Sequence, residues 1–400
     1  MLKPKRFSAV AGNRRPWGRE KLYFKGDDFY RDVLKAIRGA KREVDFEVYI
    51  YEKGVLANRV ADALIQAAKR GVQVRLLVDG IGSPDCESDY GRRFSEGGVQ
   101  FRVYRLFPNV FNLFRRLFGS LFNTQSAHRL RSLRFRLNRR NHRKLVMVDR
   151  TRVWLGGFNV SDQHLESVSG KKAWRDTGLG LAEVKDEAFR WAFETAWHDR
   201  YHRRQWKVFR NGLAAWLSRK AASPVQINAT RRLRSRFHRE MIKRLGSVQR
   251  RIWVTTPYFV PTLPLLCCLL HAALQGRDVR LVLPEKSDVP FVRWASMAFF
   301  YPLLNAGCRI FEYHTSILHA KTLVVDDWAL VGSSNFNHRS FLFDLEVDVI
   351  LQRPRSLRSL ERQYGFDFKR SREILTSDLK IRPFRERFFT WLFFRFRHWI

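Results

Sequence analysis

The feature of this 400-residue sequence that most constrains its fold is an internal repeat. Four segments of the first half recur in the same order in the second half. The matched pairs are FYRDVLKAIRGAKREVDFEVYIY (29–51) with FHREMIKRLGSVQRRIWVTTPYF (237–259), GVQVRLLVDG (71–80) with GRDVRLVLPE (276–285), GGVQFRVY (97–104) with AGCRIFEY (306–313), and NHRKLVMVDR (141–150) with LHAKTLVVDD (318–327). Helices and strands that alternate twice in the same order predict two α/β lobes with an approximate two-fold axis.

The repeat also sets the predicted domain boundaries. We expect a basic tail over residues 1–20, a first lobe over 21–205 and a second lobe over 206–400. The first lobe has an insert over 105–141 with nine arginines and no acidic residue, and the C-terminal tail 384–400 is again aromatic and basic. In the insert, phenylalanines three to four residues apart predict an amphipathic helix, which either docks on the lobe or dips into a membrane interface. Membrane contact is likewise expected for the tail, with packing on the second lobe as the alternative.

The charge balance restricts the possible partners. Lysine and arginine total 75 against 38 acidic residues, a formal net charge of +37. Such an excess concentrates anions, and the obvious polyanions are nucleic acid and an acidic lipid surface. No apolar run reaches the roughly 18 residues of a spanning helix, and the N-terminus lacks the apolar core of a signal peptide. A membrane partner is therefore expected to be met at its surface.

Two copies of the pattern HxKxxxxD carry the candidate chemistry. The first consists of His142, Lys144 and Asp149, and the second of His319, Lys321 and Asp326. Because positions two apart on a strand share a face, each histidine is expected to project together with its lysine. Both copies occupy the same place in the repeat, which makes a chance match improbable.

A glycine-containing turn follows each motif, GGFN at 156–159 and GSSN at 332–335. Such turns bring backbone donors and a short amide side chain close to a bound anion. We therefore expect Asn159, Ser333 and Asn335 to contact substrate. Because Phe158 stands where the second turn has a serine, a hydroxyl contact is expected only from the second turn.

These residue types fit phosphodiester exchange. One imidazole can attack phosphorus and form a phosphohistidine, and the other can act as general acid and then base. The lysines supply positive charge, and each motif aspartate either holds a histidine in one tautomer or braces the site differently. The residues alone leave open which imidazole attacks, because the lobes are alike. The sequence contains no metal-ligand cluster and no cofactor motif, so we expect activity without a metal or cofactor. The four cysteines are expected to be free thiols.

The duplicated motif resembles the phospholipase D superfamily, and the resemblance runs from about Lys21 to about Asp367. The segments GDDFYRDVLKAIRGAKREV, RLNRRNHRKLVMVD, WRDTGLGL, LHAKTLVVDDWALVGSSN and LEVDV are similar to the bacterial cardiolipin synthase branch that lacks N-terminal transmembrane helices. The resemblance implies an active site between the lobes, with His142 and His319 as nucleophile and general acid/base and Glu346 as a further site residue. Of the two histidines we assign His142 as the nucleophile, and the reverse assignment stays open because the lobes are alike.

The resemblance also implies a reaction and a location. A phosphatidyl group would pass from one phosphatidylglycerol to the glycerol hydroxyl of another, giving cardiolipin and glycerol. The protein would be peripheral, on an anionic phospholipid membrane at the cytoplasmic face of a bacterial cell. The sequence leaves the donor and acceptor lipids and the oligomeric state open.

Three alternatives accompany this interpretation. A nuclease or other phosphodiesterase would use the same chemistry, but the interleaved phenylalanines suit lipid better, so nucleic acid is not the expected partner. A hydrolase would release phosphatidic acid, and a non-catalytic binder would have lost one of the six motif residues, all of which are present. Outside the motifs, the histidines, including His164, are expected to be solvated, and Trp174 is expected to be a packing residue.

Overall fold

The structure is a computed structural model that describes residues 16–105, 139–198, 223–380 and 384–395. Of the predicted insert, only Arg105 and residues 139–141 fall within these ranges, so the expected amphipathic helix lies outside the described residues. The predicted lobe boundary at 205–206 and most of the predicted N-terminal tail also lie outside them.

The first half of the chain forms a seven-stranded mixed sheet covered by helices. Its strands are β1 (Arg19–Tyr23), β2 (Glu43–Val48), β3 (Gln73–Asp79), β4 (Gln100–Tyr104), β5 (Leu145–Val148), β6 (Arg152–Gly156) and β7 (Gly178–Ala182). Its helices are α1 (Gly26–Arg38), α2 (Val55–Lys69), α3 (Cys86–Glu96), α4 (Glu166–Ser169) and α5 (Ala188–Trp197), with 3₁₀ turns at Asp162–His164 and Gly170–Lys172. The strand order is β1-β7-β6-β5-β2-β3-β4, in which β2, β3 and β4 are parallel and the other neighbours antiparallel.

The second half forms an eight-stranded mixed sheet. Its strands are β8 (Val225–Ile227), β9 (Arg251–Thr255), β10 (Asp278–Pro284), β11 (Arg309–Tyr313), β12 (Thr322–Val325), β13 (Trp328–Gly332), β14 (Val347–Ile350) and β15 (Ser371–Ile374). Its helices are α6 (Arg231–Gly246), α7 (Leu263–Leu274), α8 (Pro290–Met297), α9 (Phe300–Asn305), α10 (His338–Leu342), α11 (Pro354–Lys369), α12 (Thr376–Lys380) and α13 (Phe384–Arg395). The strand order is β15-β11-β10-β9-β12-β13-β14-β8.

The two sheets follow the same path through the chain. The order β8-β14-β13-β12-β9-β10-β11 repeats β1-β7-β6-β5-β2-β3-β4, and β15 is an additional edge strand beside β11. The predicted α/β fold, with two repeated lobes built on mixed sheets, is therefore confirmed. β1 begins at Arg19, so the first sheet starts two residues before the predicted start of the lobe.

Local sequence explains the elements that position the site. α1 buries Phe29, Val33 and Ile37, which lie four residues apart on one face. β2 is buried along nearly its whole length, as expected for a central strand covered on both sides. β5 and β12 pair antiparallel to β2 and β9, and this pairing carries the two histidine motifs into the middle of their sheets.

The two sheets pack against each other through a shared apolar core. Strands β6 and β7 lie against β13 and β14. One buried cluster combines Leu155 and Leu179 of the first sheet with Val331 and Val347 of the second. Two further clusters lie on the outer faces, one in each half. The halves are therefore joined by a common hydrophobic layer.

A buried ion pair also joins the halves. Arg175, just before β7, donates from Nε to Oδ1 of Asp367 on α11 at 3.1 Å and from Nη2 to Oδ2 at 2.7 Å. The two side chains are only 7% and 2% exposed. Such a pair contributes geometry more than net stability, but either partner alone would be a buried uncompensated charge.

Part of the C-terminal tail packs on the second lobe. On α13, Phe389 and Phe393 stack on Trp294 of α8, with ring centroids 4.6 and 5.4 Å apart. On another face of the same helix, Phe388 and Trp391 remain 46% and 57% exposed. The alternative of lobe packing is therefore observed for one face of the tail. In the described part of the chain, no helix combines the length and the apolar character needed to cross a bilayer.

Replacing Asp367 with alanine should lower the free energy of unfolding by about 3–5 kcal/mol, because Arg175 would remain buried without its partner. Urea unfolding followed by circular dichroism measures the change. The matched control is Asp327→Ala, which removes an ion pair with Arg250 whose side chains are 83% and 59% exposed. The control should cost less than about 1 kcal/mol; equal unfolding curves for the two variants would contradict the structural role of the buried pair.

Candidate active site

The two histidine motifs meet where the lobes exchange backbone hydrogen bonds. His142 N donates to the oxygen of Leu345 at 3.0 Å, which links the approach to β5 with the approach to β14. In the other half-site, His319 N donates to the oxygen of Arg175 at 2.8 Å. Each contact forms a short parallel bridge between the lobes. Both histidines are buried, and each backbone is fixed by the opposite lobe.

Each histidine also receives its carboxylate from the opposite lobe. His142 Nδ1 lies 3.0 Å from Oε1 of Glu346, and His319 Nδ1 lies 2.6 Å from Oδ2 of Asp176. An ionised carboxylate only accepts hydrogen bonds, so beside the ionised Asp176 the Nδ1 of His319 carries the proton and its Nε2 is left with its lone pair. The same holds for His142 when Glu346 is ionised. The exchange of acids therefore fixes both tautomers in the form a nucleophile or base requires.

Glu346 is held by the serines around it. Ser333 Oγ donates to Oε2 at 2.5 Å and Ser340 Oγ donates to Oε1 at 2.7 Å. Burial raises the pKa of this carboxyl to about 7, against the opposing effects of Lys144 and Ser333. Ser333, expected to contact substrate, thus orients the carboxylate that orients His142.

Asp176 occupies a different environment. Thr177 N donates to its Oδ1 at 2.7 Å. A Cβ on Gly157 would lie 1.9 Å from that oxygen, so only glycine fits there. Burial by itself would raise the pKa of Asp176, but the charges of Lys321 and His319 outweigh it and lower the pKa to about 2. The carboxyl group beside His319 therefore has a much lower pKa than the one beside His142.

The two motif lysines lie beside the histidines. Lys144 Nζ donates to the backbone oxygen of His142 at 2.8 Å, and Lys321 Nζ donates to that of His319. Burial lowers the pKa of Lys144 to about 7, with a further contribution from the charge of Lys321, and burial lowers that of Lys321 to about 8. Two buried cations within electrostatic reach of each other form a site that an anion would stabilise.

The two predicted asparagines line the same region. Asn159 Oδ1 accepts from Ile50 N at 3.2 Å, and Asn335 N donates to Ser340 Oγ at 3.1 Å. Within the described part of the chain, Asn335 Oδ1 is buried without a hydrogen-bond partner. Their contact with substrate stays a prediction.

The motif aspartates lie away from the histidines. Asp149 accepts from the backbone nitrogens of Lys41, Arg42 and Glu43 at 2.8–3.2 Å. It adopts φ +50° in the turn after β5, a left-handed conformation that aspartate tolerates better than most residues. The four residues of β5 separate Asp149 from Lys144. Asp149 therefore lies more than roughly 13 Å along the chain from the histidine and lysine of its own motif.

Asp326 repeats this arrangement in the second lobe, where it accepts from the nitrogens of Gln249, Arg250 and Arg251. Of the two roles left open for the motif aspartates, the geometry shows bracing. Each aspartate caps a turn at the far end of its strand, away from its histidine, and its place among the catalytic groups stays a prediction.

His164 and Trp174 form a wall beside His319. Their rings lie 5.9 and 5.3 Å from the His319 ring, and His164 is 1% exposed. Burial lowers the pKa of His164 to about 3. The expectation of a solvated His164 was wrong, because the 3₁₀ turn after the GGFN segment folds inward. Trp174 packs as expected, but it packs against the site.

One cluster among the described residues has the composition of a metal site. Donor atoms of His164, Asp176 and His319 lie within 4.8 Å of one another. However, Lys321 Nζ lies 2.8 Å from His319 Nδ1, so a metal ion would meet a positive charge at the same place. The geometry therefore favours hydrogen bonding over metal binding in this cluster.

Sequence reasoning missed Asp176 as a site residue. It lies in WRDTGLGL, a segment noted only for its resemblance to a family. Extending the repeat would have found it, because the bridge between the lobes pairs Asp176 with His319 as it pairs Glu346 with His142.

The sequence of this chain is similar to the sequences of known proteins. A family model described as "Cardiolipin synthase, PLD-like domain" matches residues 33–169 and 241–367, which include both motifs. This chain belongs to that family. Cardiolipin synthase 1 of Bacillus cereus is 32% identical over 378 residues, covering 92% of this chain and 70% of the relative. The major cardiolipin synthase ClsA of Bacillus subtilis is 31% identical over 360 residues, covering 90% and 70%.

A solved structure shares the fold. The phosphatidylserine synthase of Haemophilus influenzae superposes with a TM-score of 0.67 at 13% identity, over 95% of each chain. At that identity the likeness supports the two-lobed fold alone. The recognised membership in the phospholipase D superfamily and its cardiolipin synthase branch is confirmed by the family model and the Bacillus relatives.

The carboxylate exchange predicts which aspartate matters for turnover. Asp176→Asn should lower kcat by roughly 10²- to 10⁴-fold, because the amide no longer fixes the tautomer or balances a protonated His319. Asp149→Asn is the matched control and should retain most of the turnover while the free energy of unfolding falls by roughly 1–3 kcal/mol. Product formation from lipid vesicles and thermal unfolding report the two effects. A larger loss of kcat in the Asp149 variant at unchanged stability would contradict its bracing role.

Proposed function

We propose that this chain transfers a phosphatidyl group from one phosphatidylglycerol to another, through a phosphohistidine, and releases glycerol. The supporting observation is the pair of buried histidines, each fixed by a carboxylate of the other lobe and each beside a lysine. Membership in the cardiolipin synthase family makes it an enzyme of the phosphatidyltransferase class. The donor and acceptor lipids are part of the proposal.

The unequal carboxylates support His142 as the nucleophile. In the first step, Nε2 of His142 attacks phosphorus while the bond from phosphorus to the glycerol oxygen breaks and His319 gives its proton to that oxygen. Asp176, whose pKa is lowered to about 2, is ionised and would stabilise the protonated His319 needed for this step. Glu346, whose pKa is raised to about 7, is less fully ionised and stabilises a protonated His142 less. A neutral His142 is the form that can attack phosphorus.

In the second step the reaction runs toward the acceptor. His319, now neutral, takes the proton of the acceptor hydroxyl, the acceptor oxygen bonds to phosphorus, and the bond from phosphorus to Nε2 of His142 breaks. Lys144 and Lys321 would face the non-bridging oxygens, where buried positive charge stabilises the developing transition state more than in water. Asn159 and Asn335 are proposed to contact the same phosphate.

Mass spectrometry of lipids tests the reaction. Purified protein with phosphatidylglycerol vesicles should form cardiolipin and glycerol in equal amounts, and His142→Ala and His319→Ala should each abolish both. Phosphatidic acid as the main product would identify a hydrolase instead. Absence of any lipid product, combined with cleavage of nucleic acid, would identify a nuclease.

An activated donor separates the roles of the two histidines. A phosphatidyl ester of p-nitrophenol needs no proton on its leaving group, so His319→Ala should still release p-nitrophenolate in a burst and carry the phosphatidyl group on His142. The variant His142→Ala should give neither. Peptide mapping of the wild type that finds the phosphatidyl group on His319 would reverse the assignment.

The exposed face of α13 supports a peripheral location on an anionic membrane. Phe388 and Trp391 are about half exposed, although the Phe388 ring also meets Phe389 edge-on at 5.6 Å, and the strongly basic chain favours anionic lipid. We propose that this face enters the interface of the cytoplasmic leaflet. Interfacial aromatic side chains and nearby basic charge act together in such contacts.

Matched substitutions on the two faces of α13 test this location. The double variant Phe388→Ser, Trp391→Ser should bind phosphatidylglycerol vesicles roughly tenfold more weakly with little change in Tm. The control Phe389→Ser, Phe393→Ser removes the face packed on Trp294 and should lower Tm. Vesicle sedimentation and thermal unfolding measure both. Unchanged sedimentation of the first variant would exclude this face as the membrane contact.

A further inference from the structure

A polar row continues from the His142–Glu346 pair along the bridge between the lobes. Arg140 and Asp344 form the neighbouring rung, in which Arg140 N donates to Asp344 Oδ1 at 3.0 Å and Leu345 N donates to the oxygen of Arg140 at 2.8 Å. Positions two apart in an extended segment share a face. Arg140 therefore lies on the same face as His142, one rung further along.

A second guanidinium joins this rung. Arg339 on α10 donates from Nε to Asp344 Oδ2 at 2.8 Å, and its side chain is 30% exposed. Burial lowers the pKa of Arg140, the charge of Asp79 opposes this effect and the charge of Arg339 adds to it. The two guanidinium groups therefore lie within electrostatic reach of each other, with Asp344 between them.

Tyr49 connects the arginines to the reacting histidine. Its ring centroid lies 4.9 Å from that of His142. Burial raises its pKa, and the two neighbouring aspartates and both arginines, Arg140 and Arg339, act on it with smaller effects. The arginine pair and His142 therefore all lie near Tyr49.

The corresponding rung beside His319 is apolar. There Arg175 N donates to the oxygen of Ile317 at 2.9 Å, so Ile317 and Trp174 take the positions that the arginine–aspartate rung has in the other half-site. In the half-site of His319 the fold forms this rung with Ile317 and Trp174, without an arginine–aspartate pair. Because the architecture does not require the arginines, their presence beside His142 indicates a ligand.

We propose that Arg140 and Arg339 bind the phosphate of the acceptor lipid while its glycerol hydroxyl attacks the phosphatidyl group on His142. This inference rests on the proposed function. Cardiolipin carries two phosphates on one glycerol, so the acceptor phosphate lies one three-carbon bridge from the reacting phosphorus. Adjacent rungs are separated by roughly 6.6 Å, which such a bridge spans. Planar guanidinium groups suit phosphate oxygens.

The subsite would make the enzyme selective for a lipid acceptor over a small alcohol. The attack itself is unchanged: the acceptor oxygen bonds to phosphorus, the bond to Nε2 breaks and the proton passes to His319. Ethanol has a hydroxyl but no phosphate, so it cannot use the proposed acceptor subsite. The rate at which phosphatidylethanol forms therefore depends only on the donor half of the site. The ratio of cardiolipin to phosphatidylethanol then isolates the acceptor half.

The test gives phosphatidylglycerol vesicles and ethanol together to the wild type, Arg339→Gln and Arg339→Lys. Arg339→Gln should lower the ratio of cardiolipin to phosphatidylethanol by roughly ten- to hundredfold, because a charged hydrogen bond to phosphate is lost, and Arg339→Lys should lower it less. The matched control is Arg309→Gln, which removes a half-exposed arginine paired with Glu373 at the far sheet edge. An unchanged ratio in Arg339→Gln would overturn the proposal, as would an equal loss in the control.

A measurement on the wild type alone keeps the proposal testable if the Arg339 variants do not fold. With soluble acceptors, glycerophosphoglycerol should be used at least tenfold more efficiently than glycerol, since only the former carries a phosphodiester. Equal use of the two would overturn the acceptor subsite while leaving the transferase proposal intact. Absence of every transfer product from the wild type would instead overturn the proposed function, and this inference with it.

Discussion

The exchange of carboxylates between the lobes is the interaction on which the rest of the site depends. His142 takes its acid from the second lobe and His319 takes its acid from the first. Neither half therefore contains a complete site. A parallel bridge beside each pair and the shared apolar layer fix the distance between the lobes, so the two imidazoles are held within electrostatic reach of each other. A duplicated fold has thereby become a single catalytic unit.

This arrangement buries several charges, and burial has a cost. Two lysines and two imidazoles surround a space in which only Asp176 is strongly ionised, and the pKa values of both lysines are lowered to about 7 and 8. Without an anion, the lysines partly repel each other. A phosphodiester would relieve that repulsion and restore their protonated forms. The two buried lysines therefore favour an anionic ligand.

The sequence predicted the lobes because the repeat is long and its hydrophobic pattern survives in both copies. It singled out the two histidines and lysines because the motif is duplicated, and the structure places them in the segments that lead into β5 and β12. Their catalytic roles stay a prediction. The sequence did not predict the partners of the histidines. The contact between His142 and Leu345 joins residues far apart in the chain, and no periodicity marks such a bridge. Asp176 was missed because the matched segments of the repeat stop before WRDTGLGL, and the roles of Asp149 and Asp326 were left open because a turn cap and a tautomer anchor use the same side chain.

The differences between the two half-sites carry the most information about function. Where the second lobe has Ser333 on Glu346, the first has Gly157 against Asp176. A glycine lets the shorter acid approach, and the shorter acid sits next to Lys321 and remains ionised. Symmetric half-sites could exchange roles in each reaction cycle. Carboxyl groups of unequal pKa make the two roles distinct. His319 lies beside the more fully ionised Asp176, so its protonated form is better stabilised than that of His142. In the proposed mechanism this difference between the half-sites lets His142 attack and His319 move the proton.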